Sequence, residues 1–186
     1  MNKVDIHVHV SNEKVVEING LPLISVDQLV KSMDDRGIDK SVIMSTSIEN
    51  NDECKEIIKK YPDRFYYMCC VDIDSKDLEN DLIKEKENGC IGIGELVINY
   101  PMNEFDELFS LAEKLNMPIL FHVSTQLGKY YGVYDKCGLP YLEEVLIKYP
   151  NLIFIGHSQA FWFEMSENDG ECSSEERNEY PKGSIL

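Results

Sequence analysis

The sequence predicts an α/β fold in which parallel strands alternate with helices. Three observations support this: continuous apolar runs, helical patterns between them, and strand starts about 24 to 37 residues apart. Continuous apolar runs are typical of strands that are buried on both faces, as in parallel sheets. An open doubly wound sheet and a (β/α)8 barrel share this pattern. The first βα turn lacks the Gly-x-Gly-x-x-Gly signature of nucleotide-binding open sheets.

The strand predictions come from apolar runs that are bounded by polar or turn residues. No Pro- or Ser-rich linker interrupts the 186 residues, so we expect a single domain over 1–186. The six predicted strands are Val4–Val10, Ser41–Thr46, Phe65–Val71, Cys90–Leu96, Pro118–Val123 and Leu152–Ile155 with the following Gly-His.

Helices are predicted between these strands from caps and apolar stripes. Ser25 and Gln28 indicate a capping box at the start of the first helix, and Gly37 indicates its end. Residues 158–186 are predicted as a loop or a short helical excursion. The later helices are predicted over Asn51–Tyr61, from Ser75 to Asn88-Gly89, from Asn103 to Leu115 and from Pro140 to Tyr149.

The charge composition disfavours nucleic acids and anionic membranes as partners. The chain has 18 Lys and Arg against 34 Asp and Glu, a net charge of −16, which disfavours nucleic acid and anionic membrane surfaces. No apolar stretch is long enough to span a bilayer, and the first residues lack the apolar region of a signal peptide. We therefore expect a cytoplasmic protein whose six cysteines are reduced thiols and whose partner is a small-molecule substrate.

The four histidines all fall at or near the carboxyl ends of predicted strands. His7 and His9 are two positions apart on the first strand, so their side chains share one face. His122, His157 and Glu95 follow at the ends of later strands. A single histidine on a strand is usually a hydrogen-bonded core or surface residue, and Glu95 alone could be a solvated strand end. Together, however, imidazoles and a carboxylate at one edge of a parallel sheet predict a hydrolytic metal site.

The order of these motifs resembles the amidohydrolase superfamily, in the branch of zinc-dependent decarboxylases and uncharacterised metal-dependent hydrolases. The resemblance covers nearly the whole chain. The matching segments are residues 4–9 (VDIHVH), 37–43 (GIDKSVI), 62–65 (PDRF), 92–96 (GIGEL), 117–122 (MPILFH) and 149–157 (YPNLIFIGH).

The resemblance implies a (β/α)8 barrel that binds a divalent metal, most often zinc, as one or two ions. His7, His9 and His122 would be ligands, His157 would contact a second metal or orient the substrate, and Glu95 would replace a carboxylated lysine that bridges two metals. Glu95 and His157 are accordingly the expected catalytic residues.

The family pattern also contains an Asp on strand 8 that this sequence lacks. A full barrel has about 250 residues, so we expect an incomplete barrel with about six strands. Neither strand 7 nor strand 8 has a candidate, so we expect a fragment or a truncated gene product. A partner chain that covers the gap and a shortened fold are the alternatives. A homo-oligomer could cover the open edges.

Three functions fit these observations. The leading one is metal-assisted hydrolysis of a small amide, ester or lactone, or a related decarboxylation. The alternatives are a TatD-like phosphoesterase and an inactive metal-binding fragment or subunit. Aromatic and polar side chains after the fifth and sixth strands are the expected substrate contacts, although they could equally pack the barrel top. These are Gln126, Tyr131, Phe161 and Trp162.

Overall fold

The computed structural model describes residues 3–11, 16–18 and 21–166. The chain divides into two compact units, Met1–Gly94 and Glu95–Leu186, called here the first and second units. In the part of the chain that is described, no helix has both the length and the apolar character needed to cross a membrane.

The first unit contains a parallel sheet and a short antiparallel pair. The pair is formed by β2 (Val16–Ile18) and β3 (Leu21–Leu23). The sheet has the order β1-β4-β5-β6, and β6 ends with two residues that belong to the second unit. Its strands are β1 (Val4–Val8), β4 (Lys40–Met44), β5 (Phe65–Cys69) and β6 (Cys90–Leu96).

Three helices lie between these strands in the chain: α1 (Val26–Arg36), α2 (Asn50–Lys60) and α3 (Leu78–Glu87). The capping box of Ser25 and Gln28 is confirmed, and Gly37 ends α1 in the left-handed conformation with φ of 63°. The predicted start at Ser75 is three residues too early, because α3 begins at Leu78, and Ser75 does not cap it. Its hydroxyl donates to Asp81 and accepts from the backbone of Asp77, the residue before the helix.

The second unit is built around β7 (Ile119–Ser124), which pairs in parallel with both β8 (Val133–Tyr134) and β9 (Phe154–His157). Its helices are α4 (Asp106–Leu115), α5 (Pro140–Lys148) and α6 (Gln159–Met165), and a 3₁₀ turn over Met102–Glu104 precedes α4. Aromatic rings pack edge to face in its core: Phe109 meets Phe154 at 5.1 Å between ring centroids.

The structure contains every predicted strand, with ends shifted by at most a few residues, and all the sheet pairings described for them are parallel. The β2–β3 pair and β8 were not predicted. α6 falls within the predicted excursion, whose remainder, 167–186, lies outside the described residues. Among the described cysteines, Cys54, Cys69, Cys70 and Cys90 form no disulfide bond. Cys137 is disulfide-bonded, so the expectation of a reduced thiol is wrong there.

Candidate functional site

In the first unit, His7 and His9 bring their ring nitrogens together at the carboxyl end of β1. Their Nε2 atoms are 3.1 Å apart, and the rings meet edge to face. Nδ1 of His9 lies 3.1 Å from the carbonyl oxygen of Met44, at the end of the neighbouring strand. A carbonyl only accepts, so Nδ1 of His9 carries the proton and Nε2 presents its lone pair.

The geometry of this pair fits a divalent ion. A metal held at about 2.0–2.1 Å by imidazole nitrogens places neighbouring donor atoms roughly 3 to 3.4 Å apart. The Nε2 to Nε2 separation of 3.1 Å falls in that range. The hydrogen bond from His9 to the Met44 carbonyl is the kind of outer contact that orients a metal-binding histidine.

In the second unit, Glu95, His122 and His157 form a cluster around one carboxylate oxygen. Nδ1 of His122 is 2.8 Å from Oε1 of Glu95, and Nε2 of His157 is 3.8 Å from the same oxygen. The register of β7 and β9 places His122 directly beside His157, and their ring centroids are 5.3 Å apart. Two strand ends thus direct two imidazoles toward one carboxylate.

The two distances indicate different relations to Glu95. The 2.8 Å contact is a hydrogen bond in which Nδ1 of His122 donates to the carboxylate, which leaves Nε2 of His122 as a lone-pair donor. Metal-binding histidines commonly donate their second ring N–H to a carboxylate, which fixes the tautomer and the orientation of the ring. The 3.8 Å contact is too long for a hydrogen bond. The side chains of Glu95 and His122 are each about one tenth exposed, whereas that of His157 is one third exposed.

The turn that carries His157 is tightly constrained. A Cβ on Gly156 would lie 2.1 Å from the ring of Phe161, so only glycine fits there without displacing the ring. Ser158 has a φ of 107°, which is rare for a residue with a side chain. Its buried hydroxyl donates to the carbonyl of Val123 and accepts from the backbone N–H of Phe161. These contacts fix the backbone on both sides of His157.

The family model described as TatD related DNase matches residues 4–145. The chain belongs to the TatD-related DNase family. The match spans β1, with His7, through α5, and it includes Glu95 and His122. No curated protein sequence matches this TatD-related chain.

Solved structures resemble this TatD-related protein in fold at low sequence identity. A probable 2-pyrone-4,6-dicarboxylic acid hydrolase from Acinetobacter baumannii, solved with citric acid, has 16% identity and a TM-score of 0.55 over 86% of this chain and 59% of its own. The 2,6-dihydroxybenzoate decarboxylase from Rhizobium has 16% identity and a TM-score of 0.59 over 83% of this chain and 65% of its own. The 5-carboxyvanillate decarboxylase from Novosphingobium aromaticivorans, solved with manganese, has 16% identity and a TM-score of 0.58 over 88% of this chain and 68% of its own.

These likenesses confirm the predicted fold class, an incomplete (β/α)8-barrel type with six parallel βα strands. The TatD-related chain spans less than two thirds of the length of the Acinetobacter protein.

The side chains predicted to contact substrate occupy different environments. Tyr131 is 62% exposed and its ring lies 4.3 Å from that of His122, so it borders the cluster. Gln126 is exposed in the same loop. Phe161 packs on Phe121, with ring centroids 6.1 Å apart, as well as on Gly156. Trp162 is about half exposed beside it. The substrate-contact role of all four stays a prediction.

Two residues near the cluster were not singled out by sequence reasoning. Asn99 contacts the loop that carries Tyr131, and Gly132 lies against His122, where a Cβ would be 2.7 Å from its carbonyl oxygen. Gly132 has a φ of 106°, a conformation that favours glycine. A Tyr-Gly dipeptide in the loop that follows the strand carrying His122 is the signal that could have drawn attention to it. Asn99 has no comparable local signal.

Proposed function

We propose that the chain is a metal-dependent hydrolase that acts on a small amide, ester or lactone, or is a related metal-dependent decarboxylase. The observation that carries this proposal is the cluster of Glu95, His122 and His157, in which two imidazole nitrogens lie 2.8 and 3.8 Å from one carboxylate oxygen. The His7 and His9 pair supports it, because its nitrogen separation fits a metal.

The proposed ligands are His7, His9, His122, His157 and Glu95, binding one or two divalent ions. Imidazole nitrogen and carboxylate oxygen are donors that zinc accepts readily, which supports zinc as the first candidate. Manganese is the second, because the 5-carboxyvanillate decarboxylase with a similar fold was solved with that ion. When bound, such an ion lowers the pKa of its water and polarises a carbonyl or phosphoryl oxygen.

The chain's own residues would carry out the proton transfers. Glu95 accepts the Nδ1 hydrogen of His122, so it fixes which nitrogen of that ring is available. We propose Glu95 and His157 as the groups that take a proton and return it to the leaving group. His157 is the more exposed of the two, which supports its contact with substrate.

The substrate class is proposed from the cluster's surroundings and from proteins of similar fold. Two of those proteins are decarboxylases of 2,6-dihydroxybenzoate and 5-carboxyvanillate, and the third is a probable hydrolase of 2-pyrone-4,6-dicarboxylic acid. Tyr131 and Trp162 offer exposed aromatic faces, and Gln126 offers an amide in the same loop as Tyr131. We propose that these side chains contact a planar ring that bears a carboxylate.

A second candidate is a metal-dependent phosphoesterase, which the TatD-related family match favours. The same donors could bind a phosphoryl oxygen. The net charge of −16 disfavours a long nucleic acid as the substrate, so the candidate is limited to small phosphoesters.

Metal content and turnover test these proposals together. We expect about one or two equivalents of zinc or manganese in protein purified without chelators, and loss of that metal in H7A/H9A. We expect E95Q to lose turnover at least about 100-fold. The exposed α4 residue Glu107 gives a matched control, E107Q, which should retain both metal and activity.

The substrate panel separates the candidates. Ring carboxylates, lactones and amides test the leading proposal, and bis(p-nitrophenyl) phosphate tests the phosphoesterase. Turnover of the phosphoester alone would replace the first proposal by the second. Metal binding without turnover of any substrate would support an inactive metal-binding subunit instead.

We also propose a cytoplasmic location and a homo-oligomer. The reduced thiols of Cys54, Cys69, Cys70 and Cys90 support the first, whereas the disulfide-bonded Cys137 counts against it. Exposed apolar side chains beside strands support the second: Val4 and Ile6 on β1 are about half exposed, and Ile153, just before β9, is 64% exposed. Light scattering on the purified chain tests the oligomer, and a monomer at all concentrations would exclude it.

A further inference from the structure

The loop between β7 and β8 carries Tyr131 and is held at both ends by one side chain of the second unit. Nδ2 of Asn99 donates to the carbonyl oxygens of Gly132, at 2.9 Å, and of Gln126, at 3.5 Å. The backbone N–H of Gly128 donates to Oδ1 of the same amide. Asn99 therefore uses both its donor and its acceptor on a segment about 30 residues further along the chain.

The loop returns to the cluster at Gly132. Its N–H donates to the carbonyl of Val97 at 2.7 Å. The absence of a side chain lets its backbone lie against the ring and carbonyl of His122. The hydroxyl of Ser124 adds contacts to the carbonyls of Gln126, at 3.1 Å, and Tyr130, at 3.4 Å. Between these contacts, residues 126–131 are exposed and have no regular secondary structure.

Tyr131 is placed by this arrangement rather than by burial. Its side chain is 62% exposed, yet its ring centroid is 4.3 Å from that of His122, with the planes tilted by 42°. Its backbone continues directly into Gly132, whose carbonyl oxygen accepts from the amide of Asn99 and whose N–H donates to Val97. The amide of Asn99 thus holds the backbone next to Tyr131.

We propose that Asn99 is a positioning residue that holds Tyr131 against His122, so that Tyr131 forms an aromatic wall recognising planar ring carboxylates at this cluster. The inference rests on the proposed function for its substrate class, but the placement of Tyr131 by Asn99 does not depend on any activity. Asn99 acts through the loop and not by direct contact with His122 or with substrate.

The placement is tested first, on metal-free protein with ¹³C-labelled histidine. The ring current of Tyr131 displaces the His122 ring proton signals, and Y131F should keep that displacement while Y131L removes it. We expect N99A to remove most of it as well. N99D, which keeps the acceptor for Gly128 but loses the donor to Gly132, should remove part. The matched control is N103A, because Asn103 is another asparagine of this unit that donates to a side chain, Glu144.

Trypsin gives a second readout of the placement, since Lys129 lies inside the loop. We expect cleavage after Lys129 to be at least about tenfold faster in N99A than in the wild type or in N103A. Unchanged His122 signals together with an unchanged cleavage rate in N99A would overturn the proposal, whether or not the protein turns over any substrate.

Recognition is tested by binding rather than by turnover. Metal-loaded protein is titrated with 2,6-dihydroxybenzoate as a ring carboxylate and with acetate as a carboxylate without a ring. An aromatic contact contributes about 0.5 to 1.5 kcal/mol, so N99A and Y131L should each weaken the Kd for the ring compound about three- to tenfold and leave that for acetate unchanged. The double variant should lose no more than either single one.

The outcomes separate the two proposals. Equal weakening for both compounds, or no effect in Y131L, would overturn the aromatic wall even if the metal-dependent hydrolase stands. A ring-selective loss in protein that turns over nothing would uphold the wall and refute the enzyme. Where N99A also changes turnover, a rise in KM with a nearly constant kcat is expected.

Discussion

Gly156 lies one residue before His157, and its backbone touches the ring of Phe161. A Cβ at this position would meet three ring atoms at 2.1 to 2.4 Å. We therefore expect G156A to lower the free energy of unfolding by about 1 to 3 kcal/mol, because the ring must move or the strand must bend. Urea denaturation followed by circular dichroism measures this loss.

The cause is tested by a double-mutant cycle with F161A, which removes the ring. If the clash is the reason, the double variant is less destabilised than the sum of the single losses, by at least about 1 kcal/mol. Additive losses would show that the clash with the Phe161 ring is not the cause of the loss in G156A.

Cys54 gives a pH-dependent stability. Burial raises the pKa of its thiol from 9.0 to about 12. The folded state therefore favours the protonated thiol, and this contribution is complete below about pH 9 and is lost as the pH rises toward 12. At about pH 10.5 the expected loss is about 2 kcal/mol, since each pH unit between the two pKa values corresponds to about 1.4 kcal/mol.

The measurement compares wild type with C54A by urea denaturation at several pH values between about 8 and 11. The stability of C54A should fall less steeply with pH than that of the wild type. I57V changes the same buried face of α2 without an ionisable group and should retain the wild-type slope. Parallel curves for C54A and wild type would contradict the assignment to Cys54.

At the scale of elements, α5 begins with a carboxylate that lies outside the helix. Leu139 precedes α5 and provides no side-chain cap. Instead, the carboxylate of Asp135 accepts from the backbone N–H groups of Tyr141 at 3.2 Å and Leu142 at 2.8 Å, and from that of Lys136 at 2.7 Å. Asp135 is only 2% exposed, so these contacts are shielded from water.

We expect D135A to lower the free energy of unfolding by about 2 kcal/mol, because one buried and two part-buried N–H groups lose their acceptor. D135N keeps an oxygen of the same shape without the charge and should lose less. Fluorescence of Trp162, which lies in the same unit, follows the transition in urea. Equal losses in the two variants would mean that a single uncharged oxygen acceptor does not stabilise α5, because the carboxylate accepts through both of its oxygens.

The elements that could be predicted are those whose signals are local. The capping box at Ser25, the left-handed Gly37 and the proline that opens α5 each lie within a few residues of the helix end that they mark. The β2–β3 pair was missed although Asn19-Gly20, a dipeptide typical of two-residue hairpin turns, stands between its strands in the sequence. Its strands are three residues each, too short to show periodicity.

At the scale of the whole molecule, the donor groups of the candidate site could be predicted because parallel strands end at one edge of a sheet. His122 and His157 are 35 residues apart, yet the register of β7 and β9 places them opposite each other. The roles of Asn99 and Asp135 could not be predicted in this way. Each depends on where an irregular loop or a helix end lies in space, and neither residue is part of a periodic pattern.

The last prediction concerns whether the donors of the two units bind the same ion. A ligand that binds only the folded state at about 100 times its Kd stabilises that state by about 2.7 kcal/mol. Trp162 is the single tryptophan of the sequence and belongs to the second unit. We therefore expect zinc at that excess to raise the urea midpoint of the Trp162 transition.

H7A/H9A changes only the first unit. If the ion requires His7 and His9 as well as Glu95, His122 and His157, the effect of zinc on the Trp162 transition should disappear in this variant, because the remaining donors bind too weakly. K59A, an exposed substitution on α2 of the same unit, should preserve the effect. A midpoint shift of wild-type size in H7A/H9A would mean that the second unit binds zinc by itself, and the five-ligand proposal would reduce to Glu95, His122 and His157.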